Sequence, residues 1–168
     1  MKDTVLQLER LESCAPEWRV LLEQATREVF EVMLGIELGP EGGPPPPDDK
    51  TVTAFVGIGG DMRGVVSLIT SVEAAQKMAA AMLGVPPEEA DGSAWDAFGE
   101  ICNMVGGAFK GKLAEKYPHC VLSLPTVVTG ADYKIRVLSN GITAEMRLSF
   151  EGHLFRALLE VQQQSAAG

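Results

Sequence analysis

The sequence is poor in the residues from which metal sites and disulfide frameworks are built. Cysteine occurs three times, as Cys14, Cys102 and Cys120, and histidine twice, as His119 and His153. An odd cysteine count with no C-x-x-C spacing argues against a disulfide scaffold and against structural zinc. Neither histidine has a nucleophile or a second ligand beside it in sequence, so no metal site of the chain's own is expected. Positive charge is also scarce: 14 lysines and arginines face 23 acidic residues, a formal net charge of -9. Such a field works against nucleic acid and anionic membrane as partners. It leaves room for a basic protein partner, or for a small local site that ignores the global charge. No apolar run reaches the roughly 20 residues of a membrane helix. The first 14 residues carry charges throughout rather than a signal-peptide core. A reducing cytoplasm is the expected setting.

What is present is ordinary for a globular chain, 46% hydrophobic and 22% charged over 168 residues. This suits a single domain over 1–168. The segment 15–38 places Val20, Leu21, Ala25, Val29, Val32 and Met33 at three- and four-residue steps, flanked by Leu22 and Phe30. Pro16 suits a first turn and Gly35 a stop, which together predict an amphipathic helix. Residues 39–50, "GPEGGPPPPDDK", predict a solvated loop, because proline fixes φ and removes backbone donors. "TVTAFVGIGG" and "GVVSLIT" flank "DMR" and predict a β-hairpin; their glycines do not follow the spacing of a nucleotide-binding loop. Residues 71–84 predict a helix capped by Ser71 and closed by Gly84. Farther on, "CVLSLPTVVTG" reads as extended and interrupted at Pro125. "YKIRVLS", "ITAEMRLSF" and "HLFRALLEV" read as strands, with turns at 140–141 and 151–152. Residues 163–168 predict a frayed tail. The expected fold is α/β, a mostly antiparallel sheet packed with a long central helix and flanking helices.

The stretch "WDAFGEICNMVGGAFKGKL", residues 95–113, has a helical rhythm and yet contains four glycines. Ser93 can cap it, with Asp96 three residues on as in a capping box. At about 100° per residue, Glu100, Asn103, Gly107 and Lys110 fall within roughly 40° of Asp96. Trp95, Phe98, Cys102, Val105, Phe109 and Leu113 fall on the opposite side and form the expected core stripe, which makes Cys102 a packing residue rather than a nucleophile. A glycine inside a helix costs about 1 kcal/mol relative to alanine. Gly106 and Gly107 are therefore expected to let another backbone or a partner approach the helix closely, clearing the space beside the polar face. Asp96 and Glu100, one turn apart, have the separation of a glycosidase carboxylate pair. Such pairs usually come from different elements flanking a cleft, and nothing else in the sequence suggests a sugar site. Asn103 offers a donor and an acceptor together, which suits holding a water molecule.

"DAFGEICNMVGGAFKGKL" followed by "LSLPTVVTG" resembles the CheC/CheX/FliY group of response-regulator phosphatases. Their signature of an Asp or Ser, then Glu, Asn and a later Pro reads here as Asp96, Glu100, Asn103 and Pro125. "EICNMVGG" and "PTVVTG" are similar to the wording of the CheX subgroup. The resemblance runs from about residue 15 to about 162. It implies an α/β domain with a long antiparallel sheet, often a homodimer, for which a C-terminal edge strand could serve. It implies hydrolysis of the aspartyl phosphate of a phosphorylated CheY-like response regulator. Asn103 would orient the attacking water and Glu100 would dock on the regulator, with Asp96, Gly106, Gly107 and Pro125 in support. Mg²⁺ would belong to the regulator, and no cofactor to this chain. CheC-like members repeat the motif on the first helix. Here that helix has Glu28 and Glu31 but no asparagine, so one site is expected. The alternative within the same fold is a non-catalytic regulator-binding or flagellar-switch module.

Overall fold

The computed structural model describes residues 2–41, 50–131, 133, 135 and 141–162, with side chains from residue 14 onward. The chain begins with helix α1, Lys2–Val29, which passes into a π-helical turn at Phe30–Leu34. The short strand β1, Gly39–Pro40, is followed by β2, Thr51–Gly60, and β3, Gly64–Ser71. Helix α2 spans Val72–Leu83 and helix α3 spans Ala94–Leu113, with a 3₁₀ turn at Pro87–Glu89 between them. Four strands complete the chain: β4, Cys120–Leu122; β5, Thr126–Gly130; β6, Ile142–Phe150; and β7, His153–Val161.

All strands join one antiparallel sheet in the order β1-β6-β7-β3-β2-β4, with β5 also on β2. The predicted α/β fold, an antiparallel sheet packed with a long helix, is the one observed. Tight turns explain the pairing. Glu151 and Gly152 both take positive φ, 46° and 81°, between β6 and β7, as a two-residue hairpin turn requires. The side chain of Ser71 accepts a hydrogen bond from the Ala74 amide at 3.1 Å, and Gly84 closes α2 at φ 69°. The strand expected at the C-terminal run forms as β7, its inward residues Phe155, Ala157, Leu159 and Val161 all buried.

Four expectations are corrected. Pro16 lies inside α1 rather than in its first turn, because the helix already begins at Lys2. The buried stripe of that helix is Trp18, Leu22, Ala25, Thr26, Val29 and Phe30, whereas Val20, Val32 and Met33 are exposed. Trp18 and Phe30 are the bulky side chains that reach the core, Phe30 meeting Phe155 edge-on with ring centroids 5.1 Å apart. The C-terminal strand is not an edge strand, since β7 is paired on both sides, by β6 and β3. Ser93 precedes α3 without a side-chain cap hydrogen bond, so no capping box forms with Asp96. The tail 163–168 lies outside the described residues, as do most of the loop 39–50 and most of the 133–141 strand and turn.

Candidate functional site

α3 is held down by one continuous apolar side. Phe98, Ile101, Cys102, Val105 and Phe109 are fully buried and Leu113 nearly so, while Trp95 is half-buried against the same core. Burying each large side chain contributes about 1.5–3 kcal/mol, so the helix is anchored along its length. The Cys102 thiol points at the carbonyl oxygens of Ala54 (3.4 Å) and Val66 (3.7 Å). Burial pushes its pKa up to about 12, against a smaller opposing effect of backbone hydrogen bonds, which makes it an inert core thiol. Two ion pairs tie the C-terminal part of the helix region to α1: Lys112 to Glu28 at 2.8 Å and Lys116 to Glu17 at 2.7 Å. Glu28, half of an incomplete motif on α1, is thereby occupied.

The opposite side carries the polar residues that the sequence singles out. Asp96 and Glu100 are exposed and Asn103 is half-buried. Among the described residues none of these three side chains has a hydrogen-bond or ion-pair partner. Residues three and four apart on a helix hold their Cβ atoms about 5–6 Å from each other. Glu100 and Asn103 therefore present a carboxylate and a carboxamide to one external object. Asp96 stands in the first turn, where a negative side chain is favoured by the partial positive charge of the helix start.

The four glycines of α3 divide by surroundings. A Cβ at Gly107 or Gly111 would meet nothing within 4 Å, so Gly107 does leave open space beside Asn103. Gly106 answers to the other alternative, close approach of another backbone. It is buried, and a Cβ there would lie 2.8 Å from Val56 Cγ2. Its missing side chain makes room for β2 rather than for a partner, because it sits on the sheet-facing flank of the helix. Gly99, not singled out in the sequence, plays a similar part for β5: a Cβ would lie 3.1 Å from Val127 Cγ2 and 3.6 Å from Pro125 Cβ.

That last contact places Pro125. β5 pairs Phe55 with Thr126, and β4 pairs Ile58 with Leu122. Three steps on β2 thus oppose four on the other strand, so a bulge of one extra residue falls at 123–125. A proline is tolerated there because no ladder donor is needed of it. Ser123 closes the gap, its hydroxyl accepting from the Gly57 amide at 2.8 Å and its own amide donating to the Gly57 carbonyl at 2.9 Å. The bulge seats Pro125 against Gly99, next to Glu100, and turns Leu124 out to 87% exposure. The sequence shows the interruption at Pro125; it does not show which helix residue the proline meets.

Two open clefts, of about 550 Å³ beside α1 and about 310 Å³ on the far face of the sheet, are lined by other residues. Among the described residues no group of three or more His, Cys, Asp or Glu could hold a metal ion, and no helix is long and apolar enough to cross a membrane. The site is an outward face of α3 rather than a cleft.

Known proteins are similar to this chain in sequence and in fold. Residues 52–159 match the family described as chemotaxis phosphatase CheX. The CheY-P phosphatase CheX of Thermotoga maritima is 32% identical over 128 residues, covering 73% of this chain and 80% of that protein. A crystal structure of chemotaxis protein CheX from Vibrio vulnificus superposes with a TM-score of 0.72 at 26% identity, covering 87% of this chain and 99% of the other. A crystal structure of a CheX-CheY-BeF3-Mg²⁺ complex from Borrelia burgdorferi contains a chain of the same fold, with a TM-score of 0.69 at 19% identity, covering 85% of this chain and 96% of the other.

Proposed function

The chain belongs to the chemotaxis phosphatase CheX family, and from that premise we propose that it hydrolyses the aspartyl phosphate of a CheY-like response regulator through Glu100 and Asn103. One observation carries the reading: among the described residues these two side chains stand unpartnered, one turn apart, on the outer face of a helix anchored along its other side. Phosphoryl transfer makes few covalent demands on a protein. It needs a water held in line with the phosphorus, and neutralisation of charge. The Asn103 carboxamide can accept from the water and donate to it or to a phosphoryl oxygen, without bringing a negative charge toward the phosphate. Glu100 would ion-pair with a cationic side chain of the regulator and fix the docking angle.

The aspartate that carries the phosphoryl group, and the Mg²⁺ beside it, would be the regulator's own, as the Borrelia complex suggests by its composition. Asp96 supports the start of the helix through its first turn, Gly107 keeps the face open, and Pro125 buttresses the helix at Gly99. Gly106 contributes by letting α3 lie close to β2. The same proposal places the protein in the cytoplasm with its regulator. A homodimer would have to pair through the outer strands, since β7 is interior.

The second reading is a binding module of this fold without catalysis; the unpartnered Glu100 and Asn103 favour the enzyme. Phosphorylated regulator from the same organism, followed over time with and without this protein, decides between them. Faster decay with wild type supports the phosphatase; an unchanged half-life at saturating protein leaves only the binding module.

A further inference from the structure

The charges on the outer face of α3 do not balance. Asp96 and Glu100 stand there as unpaired carboxylates among the described residues, on a chain of net charge -9. A phosphorylated partner adds another anion, which its Mg²⁺ offsets only in part, so a cation on the same face would favour its approach. α3 has two lysines. Lys112 is taken by Glu28 at 2.8 Å. Lys110 is half-buried and has no side-chain partner among the described residues.

The position of Lys110 is specific. It follows Asn103 by seven residues. That puts it roughly 20° from the same radial direction and about 10 Å farther along the axis. Helical side chains lean toward the N-terminus, so Lys110 leans over the turn that contains Gly107. A Cβ at Gly107 would meet nothing within 4 Å, which leaves the track toward Asn103 clear. A four-carbon stem covers part of that distance and stops short of the carboxamide.

We propose that Lys110 is the docking cation of this site, its ammonium reaching over Gly107 to engage the anionic rim around the regulator's phosphoryl group. This rests on the phosphatase reading above. Lys110 is a positioning residue: it offsets the repulsion from Asp96 and speeds productive encounter, while Glu100 pairs with the regulator's cation and the water is held by Asn103. Its effect therefore falls on KM and on salt dependence rather than on kcat.

The test measures affinity for a CheY-like regulator from the same organism loaded with beryllofluoride and Mg²⁺, alongside dephosphorylation kinetics, for wild type, Lys110→Gln and Lys110→Arg. Lys110→Gln should weaken binding and raise KM about tenfold at about 20 mM salt, the gap closing to about twofold at 0.5 M, on the order expected of a screened charge contact. Lys110→Arg should stay close to wild type. Equal affinity and equal salt profiles for Lys110→Gln and wild type would overturn the proposal, as would a loss confined to kcat. Binding and turnover separate the two inferences. Weakened binding by Lys110→Gln upholds the docking role even where wild type proves catalytically silent, an outcome that would sink the phosphatase reading alone. Failure of wild type to bind the loaded regulator contradicts both.

Discussion

At the scale of single residues, the site is defined by what its side chains do not touch. Most polar groups near α3 are committed: Lys112 to Glu28, Ser123 to the backbone of β2, Cys102 to carbonyls in the core. Among the described residues Asn103 and Glu100 are not. Asparagine is a poor interior helix residue, and leaving it half-buried without a partner has a cost that a bound water and phosphoryl group would offset. The reverse holds for Cys102. With its pKa pushed up to about 12 by burial, only about one thiol in ten thousand is ionised at pH 8. A thiol reagent should therefore label half-buried Cys14 in the native protein while Cys102 reacts only as the protein unfolds. Rapid labelling of Cys102 under native conditions would show that the apolar side of α3 is not packed as described.

At the scale of elements, α3 lies close to the sheet because small residues meet bulky ones. Gly106→Ala adds a methyl 2.8 Å from Val56 Cγ2, on a stiff, fully buried side chain. Overpacking of that kind costs about 1–3 kcal/mol, against a helix-propensity gain of about 1 kcal/mol. Gly107→Ala meets open space and keeps only the gain. Thermal unfolding should rank Gly107→Ala at or above wild type and Gly106→Ala below it; equal melting temperatures for the two variants would contradict the assigned geometry. The adjacent glycines show how far the sequence carries. Periodicity alone places Phe98, Cys102, Val105 and Phe109 inward and Glu100 and Asn103 outward, since 100° per residue separates faces widely. It puts Gly107 on the polar face and Gly106 about 80° from Asp96, near the boundary between faces, and it does not say that β2 is what Gly106 meets. α1 shows the same limit: its stripe is misread by about one residue, because Trp18 and Phe30 decide the buried side and β-branched Val20 and Val32 do not. The hairpins were legible from turn chemistry. The bulge that seats Pro125 on Gly99 was not, because it depends on register between strands far apart in sequence.

At the scale of the whole molecule, a sheet with helices on one face offers a rigid base from which one helix face meets a partner. Cross-strand charges help to hold that base. Burial tends to raise the Glu145 pKa, but the Arg156 hydrogen bond at 2.6 Å and the Arg156 and Arg147 charges outweigh it and hold the carboxyl below its ordinary 4.5. A depressed carboxylate pKa contributes stability that is complete above the unfolded value and lost as pH falls through the folded one. Glu145→Gln should thus melt below wild type at pH 7, with the gap shrinking below about pH 4.5; a gap that widens on acidification would contradict this assignment. The central claim concerns the outer face of α3 and is tested most directly by Asn103→Ala, assayed for binding to a beryllofluoride-loaded regulator and for dephosphorylation of the phosphorylated one. We predict binding within about threefold of wild type and a rate lower by about 10²-fold or more, the scale of a lost positioning contact. A variant that binds and dephosphorylates as wild type does would contradict the account.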